Sequence, residues 1–146
     1  MSYTKHAILE RCYVDKWWRS EDTWYFKSKA LSVPHGVTYD ATAIFKVGEN
    51  AKYVKLEVIV VHGRIEHPNY ILIAAGKGSY YGSSHLDSGG VVEIYFNETT
   101  VTRIVFNGTD TKVIYWQWDL KGCNIMVIGK SDSDFTLAVR FLEVRP

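Results

Sequence analysis

Apolar and polar residues alternate with a period of two along most of this chain, and each run stops at Gly, Pro, Asn or Asp. The segment 37–47 shows the pattern best. One side of it carries Val37, Tyr39, Ala41, Ala43, Phe45 and Val47. This alternation is typical of a half-buried β-strand, and no run keeps a helical period for long. The sequence therefore predicts an all-β protein.

The apolar runs predict about ten strands. Their expected bounds are Tyr3 to Val14, Thr23 to Val33, Val37 to Val47, Lys52 to Val61, Tyr70 to Ala75, Val91 to Phe96, Val101 to Phe106, Lys112 to Trp118, Cys123 to Ile128 and Phe135 to Val144. Most of the turn signals between them are short, which favours antiparallel neighbours. The pair Asn107-Gly108 favours a tight hairpin turn, so we expect the strands on its two sides to pair with each other.

Strand alternation also assigns the core. The apolar residues of three strands share one side each, and these sets are Val54, Leu56, Val58 and Val60; Val92, Ile94 and Phe96; and Phe135, Leu137, Val139 and Phe141. Two sheets packed face to face bury such sets. The chain of 146 residues is then a single domain, 1–146, folded as an antiparallel β-sandwich of jelly-roll or Greek-key type, with a closed β-barrel as the alternative.

Charge and hydropathy exclude some classes of partner. The 17 basic and 16 acidic side chains are spread along the chain and leave a net charge of +1, so no basic stripe is available for nucleic acid. No apolar run reaches the roughly 20 residues of a membrane-spanning helix. Glu10 and Arg11 interrupt the apolar residues of the N-terminus, which predicts no signal peptide and a cytoplasmic or virion-associated protein. Gln117 is the only glutamine, a bias that hints at a thermophilic source.

The two cysteines lie far apart in the sequence, without other ligands at metal-binding spacing. We expect Cys12 and Cys123 to be buried free thiols. A disulfide between them is the alternative.

Residues that bind metals or catalyse reactions are present but poorly spaced. His62, His67 and His85 are weak candidates for metal ligands, because their spacing matches no metal signature. Ser83 and Ser84, with His85 and Asp87, have the atoms of a hydrolase triad, but neighbours in one loop rarely converge in the required geometry. The sequence therefore predicts no metal, no cofactor and no enzymatic activity.

Aromatic residues make up 14% of the chain and occur in clusters. Trp17 and Trp18 lie in a polar segment that we interpret as a linker between the first two strands, and adjacent residues of an extended chain cannot both point inward. Another cluster lies in the long glycine-rich loop 76–90, which is of the length that functional loops have. The candidate interface or ligand-binding residues are Trp17, Trp18, Lys77, Tyr80, Tyr81, His85 and Asp87.

These observations favour a non-enzymatic module that self-assembles or decorates a larger particle or surface, such as a viral capsid or a cell surface. Its expected partner is a second copy of the chain, in a homo-oligomer such as a trimer, or another protein of the assembly. The alternative is a carbohydrate-binding module or lectin, in which Trp17, Trp18, Tyr80 and Tyr81 stack on sugars. A third hypothesis is a cupin-like metal enzyme.

Overall fold

The computed structural model describes the backbone of residues 7–47, 51–66, 69–82, 94–104, 111–117 and 123–145. Side-chain positions are described for all of these except 77–82, 94–104, 112, 114–117 and 123. The strands within these ranges are β1 Ile8–Tyr13, β2 Lys16–Ser20, β3 Thr23–Lys27, β4 Lys29–Val33, β5 Gly36–Lys46, β6 Tyr53–Gly63, β7 Tyr70–Gly82, β8 Ile94–Ile104, β9 Thr111–Gln117, β10 Cys123–Ser131 and β11 Phe135–Arg145. Within the part of the chain described here, no helix has the length and hydropathy needed to span a bilayer. The all-β prediction is confirmed.

The strands form two antiparallel sheets. The six-stranded sheet has the order β1-β5-β10-β7-β8, with β4 also paired to β5, and the five-stranded sheet has the order β2-β3-β11-β6-β9. Without β1, β2 and β4, the sheets reduce to β5-β10-β7-β8 and β3-β11-β6-β9, which is the strand order of a jelly roll. The predicted sandwich is thus confirmed. The described strands do not close into a barrel, so the alternative is wrong.

The interior lies between the sheets, where the alternation placed it. The predicted sets from Val54 to Val60 and from Phe135 to Phe141 are buried, and the set of Val92, Ile94 and Phe96 lies outside the described side chains. Four rings meet at the centre: Trp24 and Phe26 of β3, Phe141 of β11 and Phe45 of β5. Phe45 makes edge-to-face contacts with all three others at centroid distances of 5.1–5.9 Å. Since Phe45 belongs to the opposite sheet, these contacts hold the two layers together.

The predicted strand Thr23 to Val33 is in fact two strands in different sheets. The chain leaves β3 at Ser28 and continues as β4 in the other layer. Ser28 is buried, its N–H donates to the Phe135 carbonyl at 2.9 Å, and its Oγ accepts from the Phe135 N–H at 3.0 Å. This pair of hydrogen bonds satisfies the backbone at the crossing, where neither sheet ladder continues.

Three further predictions about strands are wrong. The strands on the two sides of Asn107-Gly108 were expected to pair with each other, but β8 pairs with β7 in one sheet and β9 pairs with β6 in the other. A local turn preference is therefore overridden by the pairing of each strand in its own sheet. In addition, β7 continues to Gly82, so the first residues of the predicted loop 76–90 are strand, and β8 is one strand where two were expected.

The outer faces of the two sheets differ. On the six-stranded sheet a second apolar cluster is buried in the folded chain; it consists of Ile44, Tyr70, Leu72, Ala74, Met126 and Ile128. That cluster is therefore not free surface. The outer face of the five-stranded sheet, in contrast, exposes aromatic and charged side chains near its β2 edge.

Candidate functional site

The candidate site is built on the hairpin of β2 and β3. Its register pairs Lys16 with Lys27, Trp18 with Tyr25 and Ser20 with Thr23, so only two residues form the turn. Glu21 takes a φ of 54° there, a conformation that residues other than glycine adopt infrequently. The segment Lys16–Ser20 is the edge strand of the five-stranded sheet, so the interpretation of this segment as a polar linker is wrong.

The two adjacent tryptophans point to opposite faces of β2. Trp17 is paired with Phe26, a core residue, and so lies on the inner side at the open rim of the sandwich. Arg19, two residues along, shares that side, and its guanidinium lies 4.4 Å from the ring centroid of Trp24. Trp18 lies on the outer face. Both tryptophans are exposed, Trp17 by 49% and Trp18 by 39%.

Trp18 forms a stack with Tyr25 on the outer face. The two ring centroids are 5.2 Å apart and the ring planes are nearly parallel, at 7°. Because Tyr25 covers one face of the indole and β2 is an edge strand, the other face of the indole is directed toward the rim of the sheet. The Lys16 ammonium lies 5.8 Å from the indole centroid. The indole is therefore stacked on Tyr25 and also has an ammonium over its ring.

Charged and polar side chains flank this stack along the strands. Two residues away on one side, about 7 Å along the strands, lie the paired lysines Lys16 and Lys27. On the other side Thr23 is in register with Arg140 of β11. Arg140 forms an ion pair with Glu57 of β6 at 3.3 Å, and its Nε is buried without a hydrogen-bond partner. The stack is therefore bordered by two lysines on one side, and on the other by the Arg140–Glu57 ion pair and by the Thr23 hydroxyl, which donates to Asp22.

Lys16, Tyr25, Lys27 and Arg140 belong to this surface but were not among the predicted site residues. Tyr25 stands between two core aromatics, so its exposure follows directly from the alternation. The signal that would have placed it beside Trp18 is the pairing register of the hairpin, and this depends on a turn that lacks glycine and asparagine.

The other predicted site residues do not join this surface. The backbone of Lys77, Tyr80 and Tyr81 lies in β7 of the six-stranded sheet, next to the edge strand β8. That edge is on the side of the sandwich away from β2. Their side chains, and the residues His85 and Asp87, lie outside the described part of the chain. The structure thus separates the predicted set into at least two places.

The histidines give no metal centre in the described ranges. Nε2 of His62 is 4.0 Å from Oδ2 of Asp134, and both side chains are exposed. No group of three or more His, Cys, Asp or Glu that could hold a metal occurs among the described residues. His67 and His85 fall outside them. That the chain binds no metal and no cofactor stays a prediction.

Cys12 is a free, half-buried thiol of β1, and burial raises its pKa from 9.0 to about 12. Cys12 is in register with Ala43, and Ala43 with Val127 of β10. Cys123 is four residues from Val127, which places the two cysteine Cα atoms about 16 Å apart, far beyond the roughly 7 Å limit for a disulfide. The prediction of a free Cys12 is confirmed.

One carboxylate on the outer face of the six-stranded sheet is also shifted. Burial raises the pKa of Asp40 from 3.8 to about 6, although the charge of Lys130 acts in the opposite direction. Asp40 lies between Lys130 of β10 and Lys29 of β4 in the register, and its Oδ1 is buried without a hydrogen-bond partner. No role in a site follows, but the group links stability to pH.

Comparisons with known proteins add little to this geometry. No protein-family model matches the sequence, and no curated protein matches it either. Among solved structures, the chain is similar to the enzymatically active domain of tailspike protein 4 of bacteriophage CBA120, with a TM-score of 0.39 and 12% sequence identity. The alignment covers 94% of this chain and 17% of that one, so the chain spans about a sixth of the length of its structural neighbour.

This comparison corrects one expectation. The sequence analysis predicted a protein without enzymatic activity, whereas the structural neighbour is an enzymatically active domain, so that prediction is not kept. The likeness is too low to assign an activity to this chain. The fold and the surface together define a jelly-roll β-sandwich with an exposed aromatic stack on the outer face of one sheet.

Proposed function

We propose that this chain is a recognition module that binds carbohydrate on the outer face of its five-stranded sheet, with the ring of Trp18 as the platform. The Trp18–Tyr25 stack is the observation that supports this function. The C–H face of a sugar packs on a broad apolar ring, and a ring already held by a neighbour loses little conformational entropy on binding.

The side chains around the stack suit the rest of a sugar. Sugar hydroxyls need hydrogen-bond partners at fixed positions beside the apolar platform. Lys16 and Lys27 offer donors on one side of the stack. On the other side the Thr23 hydroxyl donates to Asp22 Oδ1 at 3.3 Å and Arg140 is ion-paired with Glu57, so that border also carries carboxylate acceptors. An apolar protein partner would be poorly served by such a border, because its apolar groups would desolvate these charges without pairing them.

The chain contains its own matched control for this proposal. Trp17 and Trp18 are adjacent, of the same type and similarly exposed, but they lie on opposite faces. On a glycan array, we expect Trp18→Ala to lower the apparent affinity about tenfold or more, as the loss of one stacking contact does. Trp17→Ala should change it less than about twofold. Both variants are first shown to melt cooperatively.

Equal losses in the two variants would contradict the proposal, because they would indicate general damage to the hairpin. Absence of binding by the wild-type chain to every glycan on the array would contradict it too. A third unfavourable result is retained binding in Trp18→Ala.

A second candidate function is self-assembly through β1. Ile8 and Tyr13 lie on the outer face of this edge strand and are exposed by 69% and 55%. Two exposed apolar side chains on an edge strand favour contact with a second copy of the chain, in a particle or surface layer. Light scattering tests this: an oligomer that Tyr13→Ser converts to monomer supports it, and a wild-type monomer at about 100 μM contradicts it.

A further inference from the structure

We infer that the sugar recognised on this surface is acidic: an oligosaccharide that carries carboxylate, sulfate or phosphate groups. This inference rests on the proposed carbohydrate-binding function and names its ligand class. It depends on the position of two lysines relative to the aromatic stack.

Lys16 and Lys27 are directly opposite each other on neighbouring strands and share the outer face with Trp18 and Tyr25. Like charges in this position repel and destabilise a sheet. No carboxylate among the described residues forms an ion pair with either lysine. The Lys16 ammonium lies over the Trp18 ring, but neither positive charge is neutralised by a described carboxylate, and an anionic ligand group would relieve their repulsion.

The hairpin is also polarised along its length. The two lysines lie at its open end, next to the single carboxylate of Asp15, while Glu21 and Asp22 form its turn, five and six residues from Lys16. The stack of Trp18 on Tyr25 lies between them. A ligand whose sugar ring packs on Trp18 therefore favours the orientation that brings its acidic group to Lys16 and Lys27 over the one that brings it to Glu21 and Asp22.

The overall charge of the chain does not supply this attraction. The net charge is +1, so the preference for anions is local to this end of the hairpin. The described positive surface spans only two cross-strand neighbours, about 5 Å apart. Such a short site fits the single acidic group of one sugar unit better than the continuous phosphate backbone of a nucleic acid, which requires a longer basic track.

In the test, the intact chain is applied to an array of neutral and acidic oligosaccharides, with single-stranded oligothymidylate as an additional probe. We expect wild-type binding to the acidic members, weakened by added salt. The Lys16→Gln/Lys27→Gln double variant should lose about tenfold in affinity for them, since each exposed charge contributes a few-fold. Methyl esterification of a bound carboxylate sugar should lower wild-type affinity similarly and leave the double variant nearly unchanged.

Lys52→Gln is the matched control. Lys52 is exposed, and its substitution removes one positive charge, as each of the lysine substitutions does. It is distant from the stack, because it lies seven residues before Ile59, the β6 residue that is aligned across the sheet with Trp18 and Tyr25. It should therefore bind as the wild type does. Binding confined to neutral glycans, or unaffected by the double variant, overturns the acidic class and leaves the carbohydrate function standing. If the wild-type chain binds no glycan, or binds oligothymidylate more tightly than any glycan, both the acidic class and the carbohydrate function are overturned.

Discussion

Gly129 of β10 and Phe135 of β11 touch across the interior: a β-carbon on Gly129 would lie 2.8 Å from ring atom Cε2 of Phe135 and 3.0 Å from Leu137 Cδ1. Glycine at this position lets the ring approach the backbone of the opposite sheet. We expect Gly129→Ala to lower the free energy of unfolding by about 1–3 kcal/mol through overpacking. Urea titration measures this.

A double-mutant cycle makes this prediction specific. In the Gly129→Ala background, Phe135→Leu should cost less than it does in the wild type, since the smaller side chain relieves the clash. Additive losses would contradict the proposed contact between the two residues.

The hydroxyl of Ser28 should stabilise the crossing between the sheets. Ser28→Ala removes the acceptor of the buried Phe135 N–H, and the expected loss is about 1–3 kcal/mol in the free energy of unfolding. Ser32→Ala, at an exposed position of β4, serves as control and should change stability by less than about 0.5 kcal/mol. Equal effects at the two positions would refute the role assigned to the Ser28 hydroxyl.

Asp40 should make the protein less stable as the pH rises. Its pKa is higher in the folded chain, at about 6, than its ordinary value of 3.8, so the folded state binds this proton more tightly. The resulting stabilisation is complete below about pH 4 and is lost as the pH passes through 6; its size is about 1–3 kcal/mol after allowance for partial exposure.

Urea unfolding between pH 4 and 8 tests this coupling. Asp40→Asn should flatten the profile over that range. Lys130→Met should shift the fall to higher pH, because Lys130 lowers the pKa of Asp40. An unchanged profile in Asp40→Asn would show that another group causes any pH dependence.

The thiol of Cys12 should resist modification in the folded chain. With a pKa of about 12, its thiolate fraction at pH 8 is about 10³-fold smaller than that of a thiol at 9.0, and the thiolate is the reactive form. In a Cys123→Ser background, a disulfide reagent should react rapidly only after denaturant is added. If Cys12 reacted rapidly and stoichiometrically with the reagent without denaturant, its thiol could not be protected by burial in the folded chain.

Alternation was enough to predict strands whose two faces differ. β5, β6 and β11 lie within two residues of their expected bounds, and their apolar faces are buried except at the start of β5, where Val37 is exposed. The sequence did not show where the chain changes sheets, since a two-residue period says which side of a strand is buried and nothing about its partner. The run through Ser28 therefore looked like one strand, and Asn107-Gly108 suggested a pairing that does not form.

The candidate site was harder to predict for a related reason. Trp18 was recognised as an exposed aromatic, but its neighbours Tyr25, Lys27 and Arg140 belong to strands that come together only through the sheet register. Arg140 is 122 positions along the chain from Trp18. No spacing rule within a single segment connects residues so far apart in the sequence.

The central place of β11 in the five-stranded sheet has a consequence for synthesis on the ribosome. This strand is the last of the eleven and pairs with both β3 and β6. While it is still inside the exit tunnel, β3 and β6 have emerged with these pairing edges unoccupied, so the nascent sandwich is open to aggregation until β11 has left the tunnel.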